Sequence, residues 1–157
     1  MTTRWMNTPM GGLRLHAHAG LLTAIDFDAQ PRGRRVPDSV LDAAESQLAE
    51  YFRGERTEFD LPLASEGSEF QQKVWAELRQ IPYGQTATYG DIARRLGYEP
   101  VISRAVGVAN ASNPLPIVVP CHRVIGSDGK LTGYAGGIDR KQALLELEQP
   151  GLFVTSP

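Results

Sequence analysis

The sequence predicts an α/β N-terminal domain, a small sheet plus a helix, followed by a mostly α-helical C-terminal domain. Residues 4–28 alternate loosely between apolar and polar and contain glycines, a pattern typical of short strands joined by tight turns. From Ser68 onward, apolar side chains recur at the three- and four-residue spacing of helices. Residues 57–67 contain turn-forming residues and indicate a linker, so we place the domains at 1–65 and 66–157.

In the N-terminal domain we expect strands at about 3–8, 12–18 and 21–27. The stretch that follows is rich in proline, glycine and arginine and indicates a loop. Asp38 then caps a helix that runs to about Phe52. The apolar side chains of this helix that keep helical spacing are Leu41, Ala44, Leu48, Tyr51 and Phe52.

The C-terminal domain opens with a capping-box pattern, in which Ser68 is followed three residues later by Gln71. This pattern predicts a helix that the Pro-Tyr-Gly sequence at 82–84 ends. At the other end of the domain, Asp139 with Gln142 predicts the start of a last helix.

Between these helices the sequence predicts two short ones. Thr88 caps the first, which Gly97 closes, and the second covers about 103–110. Two short helices across a brief turn suggest a helix-turn-helix, although most such pairs are plain helical corners.

The composition is that of an ordinary globular protein, with 41% apolar and 22% charged residues in 157. The formal net charge is -2, and from residue 66 onward nine acidic residues balance nine basic ones. Bulk charge therefore gives no sign of a nucleic-acid partner. No apolar run approaches the length needed to span a bilayer. A single cysteine without a signal peptide predicts a cytoplasmic protein with no disulfide.

The most informative segment is Pro120-Cys121-His122-Arg123-Val124, which holds the only cysteine. It follows the apolar run 117–119, so the proline predicts a sharp turn that presents the sulfur at a strand end. A thiol acts as a nucleophile through its thiolate, which needs a nearby base or positive field. The adjacent histidine is a candidate base, acting directly or through a water. A lone cysteine is otherwise usually a small buried apolar residue.

Together with Asn113-Pro114 upstream and Gly133-Tyr134 with a glycine pair downstream, this segment resembles the O6-alkylguanine-DNA alkyltransferase family. The resemblance is strong over residues 66–149 and weak before them. It implies a ribonuclease-H-like first domain and a helix-turn-helix that binds the minor groove of double-stranded DNA. It also implies base flipping, followed by stoichiometric transfer of the alkyl group from O6-alkylguanine, and less well from O4-alkylthymine, to Cys121.

The resemblance assigns further catalytic residues. It implies that a glutamate on the last helix, Glu148, orients His122, although the residues alone could equally choose Glu146. It implies that Asn113 supports the active-site turn and that Tyr134 assists the departure of guanine. The guanine edge would be read by the backbone of Cys121, Val124 and Ala135.

For DNA binding, the resemblance suggests that Arg104 fills the place of the flipped base and that Tyr89 presses on the target phosphate. Small residues at Ala105 and Gly107 would let the helix approach the groove closely. Arg123 is a further expected contact with substrate or DNA. The number of protein copies along one duplex stays open.

We expect no cofactor and no metal. His16 and His18 alternate along a predicted strand, but two histidines alone are poor evidence for a metal site. Some family members hold zinc through cysteines in the first domain, where this chain has none. Two other functions compete: a damage-recognition module without transfer, which Cys121 argues against, and a thiol hydrolase or redox sensor on a similar scaffold.

Overall fold

A computed structural model describes residues 1–134 and 136–151 of the chain. The backbone forms two compact units, Met1–Glu66 and a second that begins at Gly67. Within the described ranges, no helix is both long and apolar enough to cross a membrane.

The first unit is a three-stranded antiparallel sheet covered by one helix. Its strands are β1 (Thr2–Thr8), β2 (Gly11–His18) and β3 (Leu21–Asp26), in the spatial order β1-β2-β3. Helix α1 (Ser39–Phe52) packs against all three strands. Alternate side chains of β2 point into this core, because successive residues of a strand face opposite sides. The three predicted strands and the predicted helix are confirmed.

The second unit is mostly helical. Its helices are α2 (Glu69–Leu78), α3 (Tyr89–Arg95), α4 (Ser103–Ala111) and α5 (Ile138–Glu148). Two short strands, β4 (Ala87–Thr88) and β5 (Val124–Ile125), pair in parallel. Helices α3 and α4 pack against each other and against α2, so the predicted pair of short helices is present.

Two helix starts follow the local sequence signals. Ser68 Oγ accepts a hydrogen bond from the Gln71 amide, and Gln71 Oε1 accepts one from the Ser68 amide, which completes the predicted capping box. Thr88 caps α3 in the same way with Asp91. The prediction for α5 is wrong by one residue, because Gly137 precedes the helix and Asp139 lies in its first turn.

The apolar run 117–119 forms turns, so the expectation that it is a strand is wrong. Ile117 has a φ of 75°, a conformation that costs an L-residue roughly 1–2 kcal/mol. Its side chain is nevertheless 1% exposed, and Val119 N donates to Leu115 O at 2.8 Å. Burial therefore outweighs the local strain and reverses the chain just before Cys121.

We predict that Ser68→Ala lowers the free energy of unfolding of the second unit by about 1 kcal/mol, since the Gln71 amide loses its acceptor. Urea unfolding followed by Trp75 fluorescence in a Trp5→Phe background isolates this unit, because the only two tryptophans lie one in each unit. Thr57→Ala is the control, since Thr57 is exposed and makes no side-chain hydrogen bond within the described residues. Equal midpoints for the two variants would contradict the prediction.

Candidate active site

A tight turn presents Cys121. Pro120 has φ -82° and ψ 65°, and Cys121 N donates to Val119 O at 2.8 Å, which together make an inverse γ-turn. Cys121 then begins a single 3₁₀ turn that ends at Arg123. The cysteine is 2% exposed, so its thiol is buried at the start of this turn.

Two asparagine side chains brace the turn. Asn113 Nδ2 donates to Val119 O at 2.8 Å, and Asn113 Oδ1 accepts from Leu115 N at 3.0 Å. Asn110 Nδ2 donates to Cys121 O at 3.3 Å. The backbone of the turn is thus held on both sides of the proline. Asn110 was not among the site residues predicted from the sequence, although an asparagine on the apolar face of a predicted helix was a usable signal.

Glu148 lies at the end of α5, and its side chain is 1% exposed. His122 Nε2 is 2.6 Å from Glu148 Oε2. Arg123 donates from Nε to Oε1 at 2.7 Å and from Nη2 to Oε2 at 3.0 Å. Glu146 is exposed, so of the two glutamates that sequence left open, only Glu148 reaches the histidine.

These contacts set the protonation of the pair. Burial opposes ionisation of Glu148, but hydrogen bonds from His122 and Arg123 outweigh it and lower the pKa of the carboxyl to about 2. Burial also lowers the pKa of the His122 imidazole, although Glu148 opposes that shift. At neutral pH the site therefore holds a carboxylate beside a neutral imidazole.

A neutral imidazole beside a carboxylate has a defined tautomer. Because the ionised Glu148 can only accept, His122 Nε2 carries the hydrogen and donates it. His122 Nδ1 is then a bare acceptor, and this buried atom has no hydrogen-bond partner within the described residues. The free lone pair of Nδ1 is the one place on this ring that can receive a proton.

The Cys121 thiol is protonated in the free protein. Burial raises its pKa to about 11, while the Asn113 amide and the charge of Lys141 act in the opposite direction. A proton must therefore leave the sulfur before or during any nucleophilic attack.

Lys141 is a buried cation that sequence analysis did not single out. Its side chain is fully buried, and Nζ donates to Thr132 O at 2.7 Å. Burial lowers its pKa to about 8, against the opposing effect of Cys121. The usable signal was its position three and four residues before Leu144 and Leu145, on the apolar face of α5.

Two tyrosines lie near the thiol. Tyr89 donates from its hydroxyl to Thr132 O at 2.9 Å, and burial raises its pKa. Tyr134 is 8% exposed, and burial, together with the negative charge of the thiolate form of Cys121, raises its pKa well above the usual value. Both phenols therefore keep their hydrogen at neutral pH and can donate it.

The expected DNA-binding residues divide into three groups. Arg104 and Ala105 are exposed on the first turn of α4, and Gly107 lies beside the ring of Tyr89. Val124 is fully buried in β5. Ala135 lies outside the described residues.

Arg123 requires a correction. The sequence places it among the basic residues expected to meet substrate or DNA, but its side chain is 7% exposed. Besides the two bonds to Glu148, its Nη1 donates to Ile81 O at 2.7 Å. Arg123 therefore compensates the charge of a buried carboxylate and is not available to a phosphate.

The residues that the structure describes contain no evident metal site. Among residues 1–134 and 136–151, no group of three histidine, cysteine, aspartate or glutamate side chains could hold an ion. His16 Nε2 pairs with Asp26 Oδ2 at 2.7 Å, and His18 is exposed.

Two family models together match nearly the whole chain. Residues 1–65 match the ribonuclease-like domain of 6-O-methylguanine DNA methyltransferase, and residues 69–150 match its DNA binding domain. The chain is 50% identical over 151 residues to a methylated-DNA–protein-cysteine methyltransferase from Mycobacterium bovis, which covers 93% of this chain and 91% of the relative. A protein of that name from Methanosarcina acetivorans is 49% identical over 147 residues, covering 90% and 94%.

Two solved structures are similar to this chain over nearly its whole length. The crystal structure of Mycobacterium tuberculosis OGT in complex with DNA is similar with a TM-score of 0.85 and 50% identity, covering 94% of this chain and 92% of that one. An O6-methylguanine DNA methyltransferase from Methanococcus jannaschii has a TM-score of 0.69 and 29% identity, covering 98% and 97%.

We predict that Glu148→Gln destabilises the protein by about 3–5 kcal/mol at neutral pH, because it leaves the buried charge of Arg123 unpaired. The folded pKa of Glu148, about 2, lies below that of an unfolded glutamate, about 4.3. The stabilisation is thus complete above the unfolded value and is lost as pH falls toward 2. Urea unfolding over this pH range should show the gap to wild type shrinking, with exposed Glu146→Gln as control. If the difference in the free energy of unfolding between wild type and Glu148→Gln stayed constant over this pH range, the predicted pH dependence would be refuted.

We predict that Lys141→Met slows the reaction of Cys121 with iodoacetamide below about pH 8, where Lys141 is charged, and that the difference from wild type shrinks at higher pH. The variant removes the positive charge that favours the thiolate, so the pKa of the thiol rises further. The labelling rate against pH is the measurement, and Lys130→Met, at an exposed lysine of the same unit, should follow wild type. Superimposable profiles for Lys141→Met and Lys130→Met would show that the buried charge has no such effect.

Proposed function

We propose, since this chain belongs to the 6-O-methylguanine DNA methyltransferase family, that it repairs duplex DNA by moving the alkyl group of O6-alkylguanine irreversibly to Cys121. The observation that carries the mechanism is the buried His122–Glu148 pair. His122 directly follows the only cysteine of the sequence, and its Nδ1 has no hydrogen-bond partner among the residues that the structure describes. O4-alkylthymine is the expected weaker substrate. A location in the cytoplasm stays a prediction.

The transfer is an in-line displacement at the alkyl carbon. A bond forms between Cys121 Sγ and that carbon, while the bond from the carbon to guanine O6 breaks and its electron pair stays on the oxygen. The thiol proton passes to His122 Nδ1, directly or through a water, and Glu148 stabilises the resulting imidazolium. Because the resting thiol has a pKa of about 11, its proton does not dissociate appreciably before the substrate arrives.

The departing guanine needs one proton. The Tyr134 hydroxyl donates its proton to the guanine edge. Once the base has left, the proton held on His122 passes through solvent to the Tyr134 oxygen and restores the hydroxyl. The raised pKa of Tyr134 supports a donor role, since the phenol keeps its hydrogen at neutral pH. Backbone groups of Cys121, Val124 and Ala135 would read the remaining edge of the purine.

Access to a buried thiol requires the target base to leave the stack, at a cost of a few kcal/mol. Arg104 suits insertion into the vacated place, because it is exposed on the first turn of α4. Ala105 beside it is small enough for a close approach to the minor groove. Tyr89 would press on the phosphate of the flipped nucleotide, and Gly107 lies beside its ring.

The reaction uses each molecule once. The product is a thioether, which no group of the site hydrolyses, in contrast to the labile acyl-enzyme of a thiol hydrolase. The added carbon also overpacks a site in which Cys121 is 2% exposed, so alkylation should lower the stability of the protein.

We predict that incubation with a duplex carrying one O6-methylguanine adds one methyl group to the protein and that peptide mapping places it on Cys121. Intact mass spectrometry is the measurement, and Cys121→Ser is the matched control. His122→Gln should keep duplex binding but transfer methyl at least ~100-fold more slowly, as expected for loss of a general base.

Preferential binding of the damaged duplex without any mass gain would assign the protein to the damage-recognition class. Turnover of small esters, again without alkyl transfer, would assign it to the thiol-hydrolase class. Either result would refute the proposed transfer.

A further inference from the structure

The first unit contains a cleft lined by arginines that the transfer mechanism does not use. Its volume is about 310 Å³, and its lining includes Arg4, Arg32, Arg34 and Arg35 together with Trp5. No acidic side chain lines it. A cleft of this size and composition suits an anion with several oxygen acceptors, such as a phosphate group.

The loop that carries Arg32, Arg34 and Arg35 is tied to the sheet at three of its carbonyl groups. Trp5 Nε1 donates to Ala29 O at 2.8 Å, and Arg14 Nη2 donates to Gln30 O at 2.6 Å. Farther along, Arg4 Nη2 donates to the carbonyl of residue 36 at 2.7 Å. The loop is therefore fixed on both sides of Arg32 and Arg34, which reduces the entropy lost when they bind a ligand.

The charges of the four arginines are not equally available. Arg4 is buried and pairs with Asp42 and Glu45. Arg35 also pairs with Glu45, at 2.6 Å.

Arg32 and Arg34 differ from them, since both are exposed and neither has a hydrogen bond or acidic partner in the described part of the chain. Two uncompensated positive charges thus lie at one cleft of a unit in which ten acidic residues outnumber seven basic ones.

We propose that Arg32 and Arg34 form an auxiliary site for the phosphate backbone of duplex DNA. The site rests on the proposed function, which makes DNA the substrate. It also answers a difficulty of that function: duplex affinity depends largely on phosphates neutralised by lysine and arginine, yet the residues from 66 onward carry nine acids and nine bases. Guanidinium groups bind phosphate oxygens in pairs, and such contacts add affinity without reading sequence.

The test compares R32Q/R34Q with R53Q/R56Q, which removes the same charge from the same unit at residues outside the cleft lining. Affinity for an undamaged duplex is measured at several salt concentrations. R32Q/R34Q should bind more weakly, with a salt dependence of log K shallower by about 1 for each lost phosphate contact. R53Q/R56Q should keep the wild-type slope, and thermal unfolding checks that both variants are folded.

A wild-type slope in R32Q/R34Q, or an equal reduction in both double variants, would overturn the site. Stabilisation of the wild type by inorganic phosphate, lost in R32Q/R34Q while the duplex slope stays unchanged, would assign the cleft to a free anion and also overturn it. Methyl transfer to wild-type protein is followed in parallel. If the wild type transfers methyl but the salt slope of R32Q/R34Q is unchanged, only the auxiliary site is refuted. If the wild type shows no methyl transfer and no duplex binding, the proposed function is refuted as well.

Discussion

One histidine and one arginine, adjacent in the chain, converge on the carboxylate of Glu148. Each of these three groups would be costly to bury alone, because the arginine and the carboxylate are charged and the histidine ring has two polar nitrogens. Together they are satisfied, and the cluster joins the last turn of α5 to the turn that carries Cys121. Through Arg123 Nη1 it also reaches Ile81 O, just past α2. Removing one member leaves another charged and unpaired, so the cluster is retained or lost as a unit.

The same cluster decides where protons lie. With Glu148 ionised and His122 neutral, the only open proton acceptor of the pair is His122 Nδ1. The sulfur keeps its proton, because the burial of Cys121 outweighs the favourable effects of Asn113 and Lys141. A buried, protonated thiol is a poor target for stray electrophiles. Its reactivity depends on an alkyl carbon held in line and on a base that can accept the proton at that moment.

Local signals made much of the fold predictable. The capping box at Ser68 and the cap at Thr88 act within four residues, so the sequence alone contains the whole interaction. The strands of the first unit follow from alternation, which needs no partner to be recognised. The turn at 117–119 was not predictable in this way, because apolar β-branched residues favour strands and only burial forces Ile117 to a positive φ.

The site needed more than local signals. Cys121 and His122 stand out as neighbours, but Glu148 and Glu146 are equivalent until the packing of α5 buries one and exposes the other. Arg123 was misjudged for the same reason, since its partner lies 25 residues away. Lys141 escaped notice because a lysine is normally a solvated residue, and only the helical face it shares with Leu144 marks it as buried.

The tautomer of His122 is the most direct test of this mechanism. Nitrogen-15 NMR of the imidazole in the free protein at neutral pH distinguishes the two ring nitrogens. The expected spectrum shows a protonated Nε2, hydrogen-bonded to Glu148, and an unprotonated Nδ1, with Glu148→Gln weakening this preference. An Nδ1–H tautomer, or a doubly protonated ring at neutral pH, would leave no base beside Cys121 and would contradict the mechanism.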